Sequence, residues 1–228
     1  MDGVGATDVV IGLSPGRLGE IAILGAHCDD IAIGMGATLL TLTRAHPELR
    51  VRALVLSGAG TPRAAEERKA LEAFCANADL ELTVLDVPDG RAPAHWSRVK
   101  DALARFRRGV EPQVVFAPQR HDAHQDHRML AELVPTEFRD HLILGYEILK
   151  WETDTPRPDV LHPVSPELVR EKAALLRQCY PSQTQRDWFD DEAFLGLARI
   201  RGVQCHAAYA EGFVLDKAVM DFGNTGGV

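Results

Sequence analysis

The sequence predicts an α/β protein, a Rossmann-like three-layer α/β/α sandwich built around a mostly parallel sheet. Short apolar runs alternate with longer amphipathic segments along most of the chain, the pattern of strands joined by crossover helices. The chain has 228 residues with 46% hydrophobic content, enough for one sizeable core, and no linker, internal repeat or low-complexity tract divides it. We therefore expect a single domain over residues 1–228.

The individual elements follow from local patterns. Residues 21–26 are apolar throughout and predict a buried strand, and the strand at 51–56 ends in Ser57-Gly58-Ala59-Gly60. Residues 62–78 carry helical charge spacing, and the strand at 114–117 is stopped by Pro118. In chain order the predicted elements are strand 21–26, helix 34–44, strand 51–56, helix 62–78, strand 82–87, helix 96–106, strand 114–117, strand 142–148, helix 166–179 and helix 192–200.

Composition excludes several classes of function. An excess of 33 acidic over 25 basic residues gives a net charge of -8, which argues against a nucleic-acid or anionic-membrane surface. The basic group Arg105, Arg107 and Arg108 indicates a solvated helix end. Residues 1–4 lack the start of a secretory signal, and no apolar run is long enough to cross a membrane. The four cysteines are widely separated, as expected of reduced thiols in a cytoplasmic protein.

Two short stretches are dense in metal-ligand chemistry. Ala26-His27-Cys28-Asp29-Asp30 follows the first strand, and residues 121–127, with the sequence HDAHQDH, follow the fourth. Active sites of parallel α/β sheets lie beyond the carboxyl ends of the strands, so we expect the two stretches to meet there. Imidazoles facing carboxylates suit a divalent metal. Hydrolytic zinc needs about three protein ligands and an open position for water.

Each cluster also has a plainer interpretation. Asp29 and Asp30 could cap the following helix, although a cap does not explain His27. The second cluster could be a polar helix start. Gly34-Met35-Gly36 lacks the full G-x-G-x-x-G pattern of dinucleotide sites and is better suited to close helix–sheet packing. Cys28 is better explained as a small packed residue than as a ligand or nucleophile.

At these residues the sequence resembles the PIG-L/LmbE-like de-N-acetylases. Ala26-His27-Cys28-Asp29-Asp30, followed by Gly34-x-Gly36-x-Thr38, is similar to the A-H-P-D-D signature of that family, and His124-Gln125-Asp126-His127 is similar to its H-x-D-H motif. Weaker similarities occur at Arg63-x-x-Glu66, Asp89-Gly90, Tyr180-Pro181-Ser182-Gln183 and Glu211-Gly212-Phe213. The resemblance spans roughly residues 20 to 215 and implies a Rossmann-like fold.

The resemblance also implies a role for each site residue. The metal ligands would be His27, Asp30 and His127, a choice that residue chemistry alone cannot make over His121 or His124. Asp29 would be the general base for the attacking water. His124 would stabilise the oxyanion or protonate the leaving amine, and Asp126 would orient an imidazole. The implied cofactor is Zn2+, with another divalent transition metal as the alternative.

Two positions depart from the family pattern. Cys28 replaces the usual proline of the signature, and Ala32 stands where many relatives carry an acidic residue. Neither change removes a ligand.

The implied activity is removal of an N-acetyl or other acyl group from a small amino-sugar-like molecule of the N-acetylglucosamine type. Arg63 and Asp89, at neighbouring strand ends, are candidate substrate contacts, with a surface ion pair and a turn residue as the alternatives. Trp151, Trp188 and Tyr180 could stack on a sugar ring or belong to the core. Three rival interpretations remain: an amidase for larger conjugates, a Rossmann-type ligand-binding protein and a non-catalytic metal-binding protein. The sequence does not determine the oligomeric state, and a homo-oligomer is possible.

Overall fold

The protein forms a seven-stranded sheet covered by helices on both faces. The computed structural model describes residues 15–219. In chain order the elements are β1 (Glu20–Gly25), α1 (Asp30–Ala45), β2 (Arg50–Val55), α2 (Pro62–Phe74), β3 (Asp79–Val84), a short 3-10 helix (Ala92–His95), α3 (Trp96–Arg108), β4 (Val114–Pro118), α4 (Gln125–Glu137), β5 (Leu142–Tyr146), β6 (Val160–Val164), α5 (Pro166–Cys179), α6 (Asp191–Gln204) and β7 (Tyr209–Leu215).

The sheet is mostly parallel, as predicted. Its strand order is β3-β2-β1-β4-β5-β7-β6. The five strands from β3 to β5 run parallel to one another, and β7 pairs antiparallel with both β5 and β6. The chain first extends the sheet on one side of β1 and then crosses to β4 on its other side. The crevice between the carboxyl ends of β1 and β4 is therefore the switch point at which ligands bind in such folds.

Alternate residues of the central strands pack into two separate cores. In β1, Ile21 and Ile23 join a core formed with α1, α2 and α5, whereas Ala22 and Leu24 face a second core formed with α3 and α4. Because side chains of a strand point alternately to opposite faces, a strand covered on both sides needs apolar residues at every position. All six residues of β1 are buried. This explains the continuous apolar run from which the strand was predicted.

Helix α1 contains a break at Met35, where φ is -140° and ψ is 21°. The backbone groups released by the break find side-chain partners. The carboxylate of Glu211 accepts hydrogen bonds from the amides of Ala37 and Thr38, at 3.0 and 2.6 Å. The ammonium of Lys172 donates to the carbonyl of Ile33 and to Glu211, both at 2.6 Å. Glu211 thus acts as a cap for the start of the second half of the helix, and Lys172 as a cap for the end of the first half.

The glycines on either side of the break permit close packing. A Cβ at Gly34 would lie 2.2 Å from the ring of Tyr146, and a Cβ at Gly36 would lie 2.9 Å from Phe74. The interpretation of Gly34-Met35-Gly36 as a packing element agrees with these distances. Tyr146 is fully buried in β5, and its hydroxyl donates to the carbonyl of Leu24 at 2.6 Å.

Several predicted boundaries differ from the structure. Helix α1 begins at Asp30, four residues before the predicted start at Gly34, because the metal-ligand-rich turn leads directly into it. Strand β3 lies at 79–84 where 82–87 was predicted, since its register is set by pairing with β2. Helix α2 ends at Phe74, short of the predicted Ala78. Helix α4 and strands β6 and β7 were not predicted.

Other expectations concern the membrane, the cysteines and the N-terminus. Within residues 15–219, no helix combines the length and apolar character needed to cross a bilayer. All four cysteines are free thiols, as their spacing predicted. The expectation that residues 1–4 do not begin a secretory signal lies outside the described residues.

Candidate metal centre and active site

The two polar clusters meet at the switch point of the sheet. Strands β1 and β4 are direct neighbours, with Ile23 opposite Phe116, so the segments that follow them emerge side by side. His27 lies just beyond β1, and His124 and His127 lie beyond β4 at the start of α4. The ring centroids of His27 and His127 are 5.0 Å apart, and those of His27 and His124 are 4.6 Å apart. The predicted meeting of the two clusters is therefore observed.

The turn after β1 is held by the side chain of Asp30. Its Oδ2 accepts hydrogen bonds from the amides of Ala26 and His27, at 2.9 and 2.8 Å. The preceding residue, Asp29, has φ of 108°, a conformation that non-glycine residues rarely adopt. Asp29 occupies the N-cap position of α1 but makes no side-chain capping hydrogen bond. A helix-capping role therefore does not account for Asp29, and its carboxylate is directed elsewhere.

Three donor atoms form a compact triangle at the centre of the site. The Nδ1 atom of His27 lies 3.0 Å from Nε2 of His127 and 3.6 Å from Oδ2 of Asp30, and the third side, from His127 to Asp30, is 3.3 Å. Ligands bound at 2.0 to 2.2 Å in a tetrahedron lie about 3.4 Å apart. Two imidazole nitrogens and one carboxylate oxygen with these separations fit a divalent transition metal such as zinc.

The far nitrogen of each imidazole in the triangle faces a carboxylate. The Nε2 atom of His27 lies 3.2 Å from Oδ2 of Asp126 and 3.1 Å from Oδ1 of Asp89. The Nδ1 atom of His127 lies 3.0 Å from Oδ1 of Asp122. Carboxylates in this position orient metal-binding histidines and increase their basicity. The arrangement leaves Nδ1 of His27 and Nε2 of His127 to face the metal position.

The site contains two other possible ligand sets, in each of which all donor atoms lie within 4.8 Å of one another. One set is His27, His124 and His127, and the other is His27, Asp89 and Asp126. Asp126 lies on the far side of His27 from the triangle, 3.2 Å from Nε2, and its two oxygens accept hydrogen bonds from the amides of Gly90 and Ala92 at 2.8 and 3.0 Å. These bonds favour an orienting role for Asp126.

His124 and His121 differ in their surroundings. The Nδ1 atom of His124 accepts a hydrogen bond from the amide of Asp126 at 3.2 Å, so the proton of the neutral ring is on Nε2. His121, the third histidine that the sequence could not exclude, is exposed and belongs to neither set of donor atoms.

Asp29 lies between a cation and a buried acid. Its carboxylate pairs with the guanidinium of Arg63 at 2.9 Å. Its amide donates to Oε2 of Glu67 at 2.8 Å, and the hydroxyl of Tyr180 donates to the same oxygen at 2.6 Å. Glu67 is fully buried, and its Oε1 has no hydrogen-bond partner among the described residues. Glu67 therefore supports the backbone of Asp29 in its unusual conformation.

Burial and neighbouring charges shift the pKa values of these groups. Burial raises the pKa of Asp29 to about 6, against the opposing effect of Arg63. Burial alone would also raise the pKa of Asp30, but His127 and His27 hold it well below the usual value. For His127 burial favours a lower pKa, yet Asp30 and Asp122 raise it to about 9. Burial together with the charges of His27 and His127 lowers the pKa of His124. Neighbouring acids thus differ in proton affinity, a property common at active sites.

One cavity of about 470 Å³ is lined by the three histidines and two aspartates at the centre of the site: His27, Asp29, Asp30, His124 and His127. Both candidate substrate contacts, Arg63 and Asp89, border it, so neither is simply a remote surface residue. Trp151 and Trp188 also border it, with their ring centroids 6.0 Å apart. Tyr180 is completely buried, and its hydroxyl donates a hydrogen bond to Glu67. It is therefore a core residue, and the prediction that it could stack on a sugar ring is wrong. Cys28 is buried with its thiol 3.4 Å from the carbonyl of Ser57, as expected of a packed residue.

Sequence reasoning missed three residues of the site. Asp122 is buried, accepts from the amide of His124 at 2.8 Å and binds the ammonium of Lys150 at 2.9 Å. It stands inside the second histidine cluster, so its position was a usable signal. Glu67 and Lys150 reach the site from other parts of the chain, and nothing in the local sequence around them indicates a role.

Comparisons with known proteins agree with this architecture. Residues 22–137 match the model of the family PIG-L, described as GlcNAc-PI de-N-acetylase. Among solved structures, the conserved protein TT1542 from Thermus thermophilus is similar with a TM-score of 0.69 and 24% identity, over 90% of this chain and 97% of that one. N,N'-diacetylchitobiose deacetylase from Pyrococcus horikoshii has a TM-score of 0.68 and 20% identity, over 87% and 84%.

A third similar structure has a different activity in its name. GalB, the 4-carboxy-2-hydroxymuconate hydratase from Pseudomonas putida, has a TM-score of 0.68 and 16% identity, over 90% of this chain and 99% of that one. Identities this low establish the fold alone.

Proposed function

The chain belongs to the PIG-L family, and on that premise we propose that it is a metal-dependent hydrolase that removes an N-acyl group, above all acetyl, from an amino-sugar-like small molecule or glycoconjugate. The observation that carries the proposal is the triangle of His27, Asp30 and His127, which lines the same cavity as Asp29 and His124. Three ligands beside a spare acid and a spare imidazole suit hydrolysis better than simple metal storage.

In this proposal His27, Asp30 and His127 hold the metal, with Zn2+ as the leading candidate. When bound, the ion polarises the amide carbonyl and makes water acidic enough to be deprotonated near neutral pH. Asp126 keeps His27 oriented through its far nitrogen, and Asp122 does the same for His127. The ligands are thereby fixed in position before substrate arrives.

Asp29 acts as the general base. A pKa of about 6 leaves its carboxylate ionised at neutral pH and still basic enough to accept a proton from water. Arg63, at 2.9 Å, holds the carboxylate in place. As the carbon–nitrogen bond breaks, the proton held on Asp29 is available to the leaving amine.

His124 provides the electrophilic side of the site. With Nδ1 occupied by the amide of Asp126, its Nε2 carries the proton and can donate to the developing oxyanion or to the leaving amine. The lowered pKa of His124, caused first by burial and then by the neighbouring imidazoles, keeps the ring neutral at pH 7. A neutral donor of fixed orientation lowers the activation barrier of amide hydrolysis, because the imidazole does not have to reorient during the reaction.

The proposal extends to the domain organisation, cellular compartment and substrate of the protein. We assign residues 1–228 to a single deacetylase domain. The free cysteines suit a reducing compartment such as the cytoplasm. One deacetylase among the similar structures is named for N,N'-diacetylchitobiose, which supports a small acetylated sugar of the N-acetylglucosamine type as the partner. An amidase acting on larger conjugates with the same residues is the nearest alternative.

The deciding experiment combines metal removal with product analysis. Chelation should abolish amine release from N-acetylated amino sugars, and one equivalent of zinc or a similar divalent ion should restore it. Mass spectrometry separates the alternatives: deacetylation releases acetate, amidase action releases a larger acid, and hydration of the GalB type adds water without cleaving the substrate. Full activity in metal-stripped protein would contradict the proposal.

A further inference from the structure

We propose that Arg186 selects substrates that carry an anionic group, a phosphate or a carboxylate, on the part of the molecule away from the scissile amide. This inference rests on the proposed function, because it concerns the same cavity. Trp151, Arg186 and Trp188 border that cavity together with the metal-site residues, and we call these three residues the outer rim. Trp151 follows β5, and the other two lie between α5 and α6.

The outer rim is held in place by specific contacts. The Nε atom of Arg186 donates to Oε1 of Gln183 at 2.7 Å, and Gln183 is buried. The guanidinium lies 5.2 Å from the ring centroid of Trp151, within the range of a cation–π interaction. The indole of Trp151 donates to Asp187 at 2.8 Å. The guanidinium is therefore positioned by neutral and aromatic groups, so its terminal N–H groups remain for a ligand.

Charge distinguishes Arg186 from the other cations of the cavity. Arg63 pairs with Asp29 and lies 3.7 Å from Glu66, while Lys150 pairs with two other carboxylates at 2.9 and 2.6 Å. Across residues 15–219, no carboxylate lies within 4 Å of the guanidinium of Arg186. A guanidinium with free terminal N–H groups can bind a carboxylate or phosphate through two parallel hydrogen bonds. Arg186 is thus the cation of this cavity available to a substrate anion.

The rest of the cavity limits where negative charge can sit. Asp89 and Glu152 also border it, so a substrate with negative charge near them would be repelled. Trp151 is 60% exposed and meets Trp188 at an interplanar angle of 80°, so the rim offers apolar indole surface to a sugar ring. The arrangement favours an acylated amino sugar with its amide at the metal position, its ring against the tryptophans and its anionic group at Arg186.

The test compares three substrates that differ in charge. N-acetylglucosamine 6-phosphate carries a phosphate and N-acetylglucosaminuronic acid a carboxylate, both at C6 and so away from the amide on C2, and methyl N-acetylglucosaminide carries no charge. We expect kcat/KM to favour at least one anionic substrate over the neutral one by about tenfold, since two parallel charge-assisted hydrogen bonds to this exposed guanidinium have about this effect. Arg186→Gln should reduce that preference at least about fivefold, mainly through KM. Arg170→Gln, an exposed arginine of α5 outside the cavity, is the matched control and should retain the preference.

Equilibrium binding separates failure of this inference from failure of the proposed function. Binding of the three sugars to metal-stripped protein can be followed by tryptophan fluorescence, because two of the three tryptophans of the chain belong to the outer rim. Suppose that the protein binds the anionic sugars selectively, that Arg186→Gln abolishes this selectivity, and that no substrate releases an amine. This result would support the role of Arg186 and overturn the proposed hydrolase function. The role of Arg186 would be overturned if neither amine release nor binding favoured the anionic sugars. It would also be overturned if the preference survived Arg186→Gln.

Discussion

Replacing Glu67 with glutamine tests how the backbone of Asp29 is supported. Burial, together with the negative charges of Asp29 and Asp30, raises the pKa of Glu67 from 4.5 to about 8, although hydrogen bonds from Tyr180 and from the Asp29 amide oppose the shift. At neutral pH Glu67 is then a neutral acid whose Oε2 accepts both hydrogen bonds. Glutamine has nearly the same shape and can accept the same two bonds. Glu67→Gln should therefore keep the fold and most of the activity.

The two proteins should differ in how stability depends on pH. Between pH 4.5 and 8 the unfolded chain has released the Glu67 proton while the folded protein still holds it, so stability falls as pH rises through this window. At about 1.4 kcal/mol per pH unit, the free energy of unfolding should drop by roughly 4 kcal/mol between pH 5 and pH 8 because of this residue alone. Glutamine does not titrate, so the variant should lack this loss and gain stability relative to the parent as pH rises.

The assay is urea unfolding at pH 5, 6.5 and 8, with chelator present so that metal binding does not vary with pH. Glu72→Gln, on the exposed side of the same helix, is the control and should keep the pH dependence of the parent. A stability difference between Glu67→Gln and the parent that stays constant within about 0.5 kcal/mol across the three pH values would refute a neutral Glu67. A large loss of activity in Glu67→Gln would show that the amide does not replace the acid as the acceptor for Asp29.

The remaining predictions assign roles to neighbouring pairs of residues. His127→Ala should lower bound metal, measured by elemental analysis, whereas His124→Ala should retain the metal and slow amine release by roughly a hundredfold, as loss of an oxyanion donor does. The reverse pattern would exchange the two roles. Asp30→Ala should weaken zinc affinity, because it removes a ligand and the acceptor for two amides of the turn. Asp29→Asn should bind zinc normally but lose most of kcat, and loss of its pKa of about 6 should alter the acidic limb of the pH–rate profile. A metal-free Asp29→Asn would count against its assignment as the base.

The sequence predicts the parallel half of the fold better than the antiparallel half. Strands β1 and β4 are buried at every position and appear as nearly continuous apolar runs, and β2 is apolar and buried over residues 53–55. Strand β6 contains His162 and Pro163, and β7 contains Glu211 and Gly212, residue types that disfavour a strand prediction. Their pairing depends on long-range contacts with β5 and with each other. Helix α4 was missed in part because it contains a proline at 135.

The same distinction applies to the site. His27 and His127 could be located because each stands in a short motif at a strand end. Glu67 could not, because its role arises from a hydrogen bond to the backbone of Asp29 and from its enclosure by Tyr180. The partnership of Asp122 with Lys150 is likewise a contact between distant parts of the chain. Motifs therefore identify the groups that face the metal position, whereas the groups that support them emerge only from tertiary packing.

The break in α1 links the order of synthesis to completion of the site. The ribosome makes α1 early, but Glu211, which caps its second half, is made only with β7. Until β7 inserts between β5 and β6, the amides of Ala37 and Thr38 lack this partner and Lys172 lacks its counter-ion. Contacts between such distant segments form slowly, because a long loop must close first. We therefore expect the second half of α1 to gain its cap late in folding, once β7 has paired with β5 and β6.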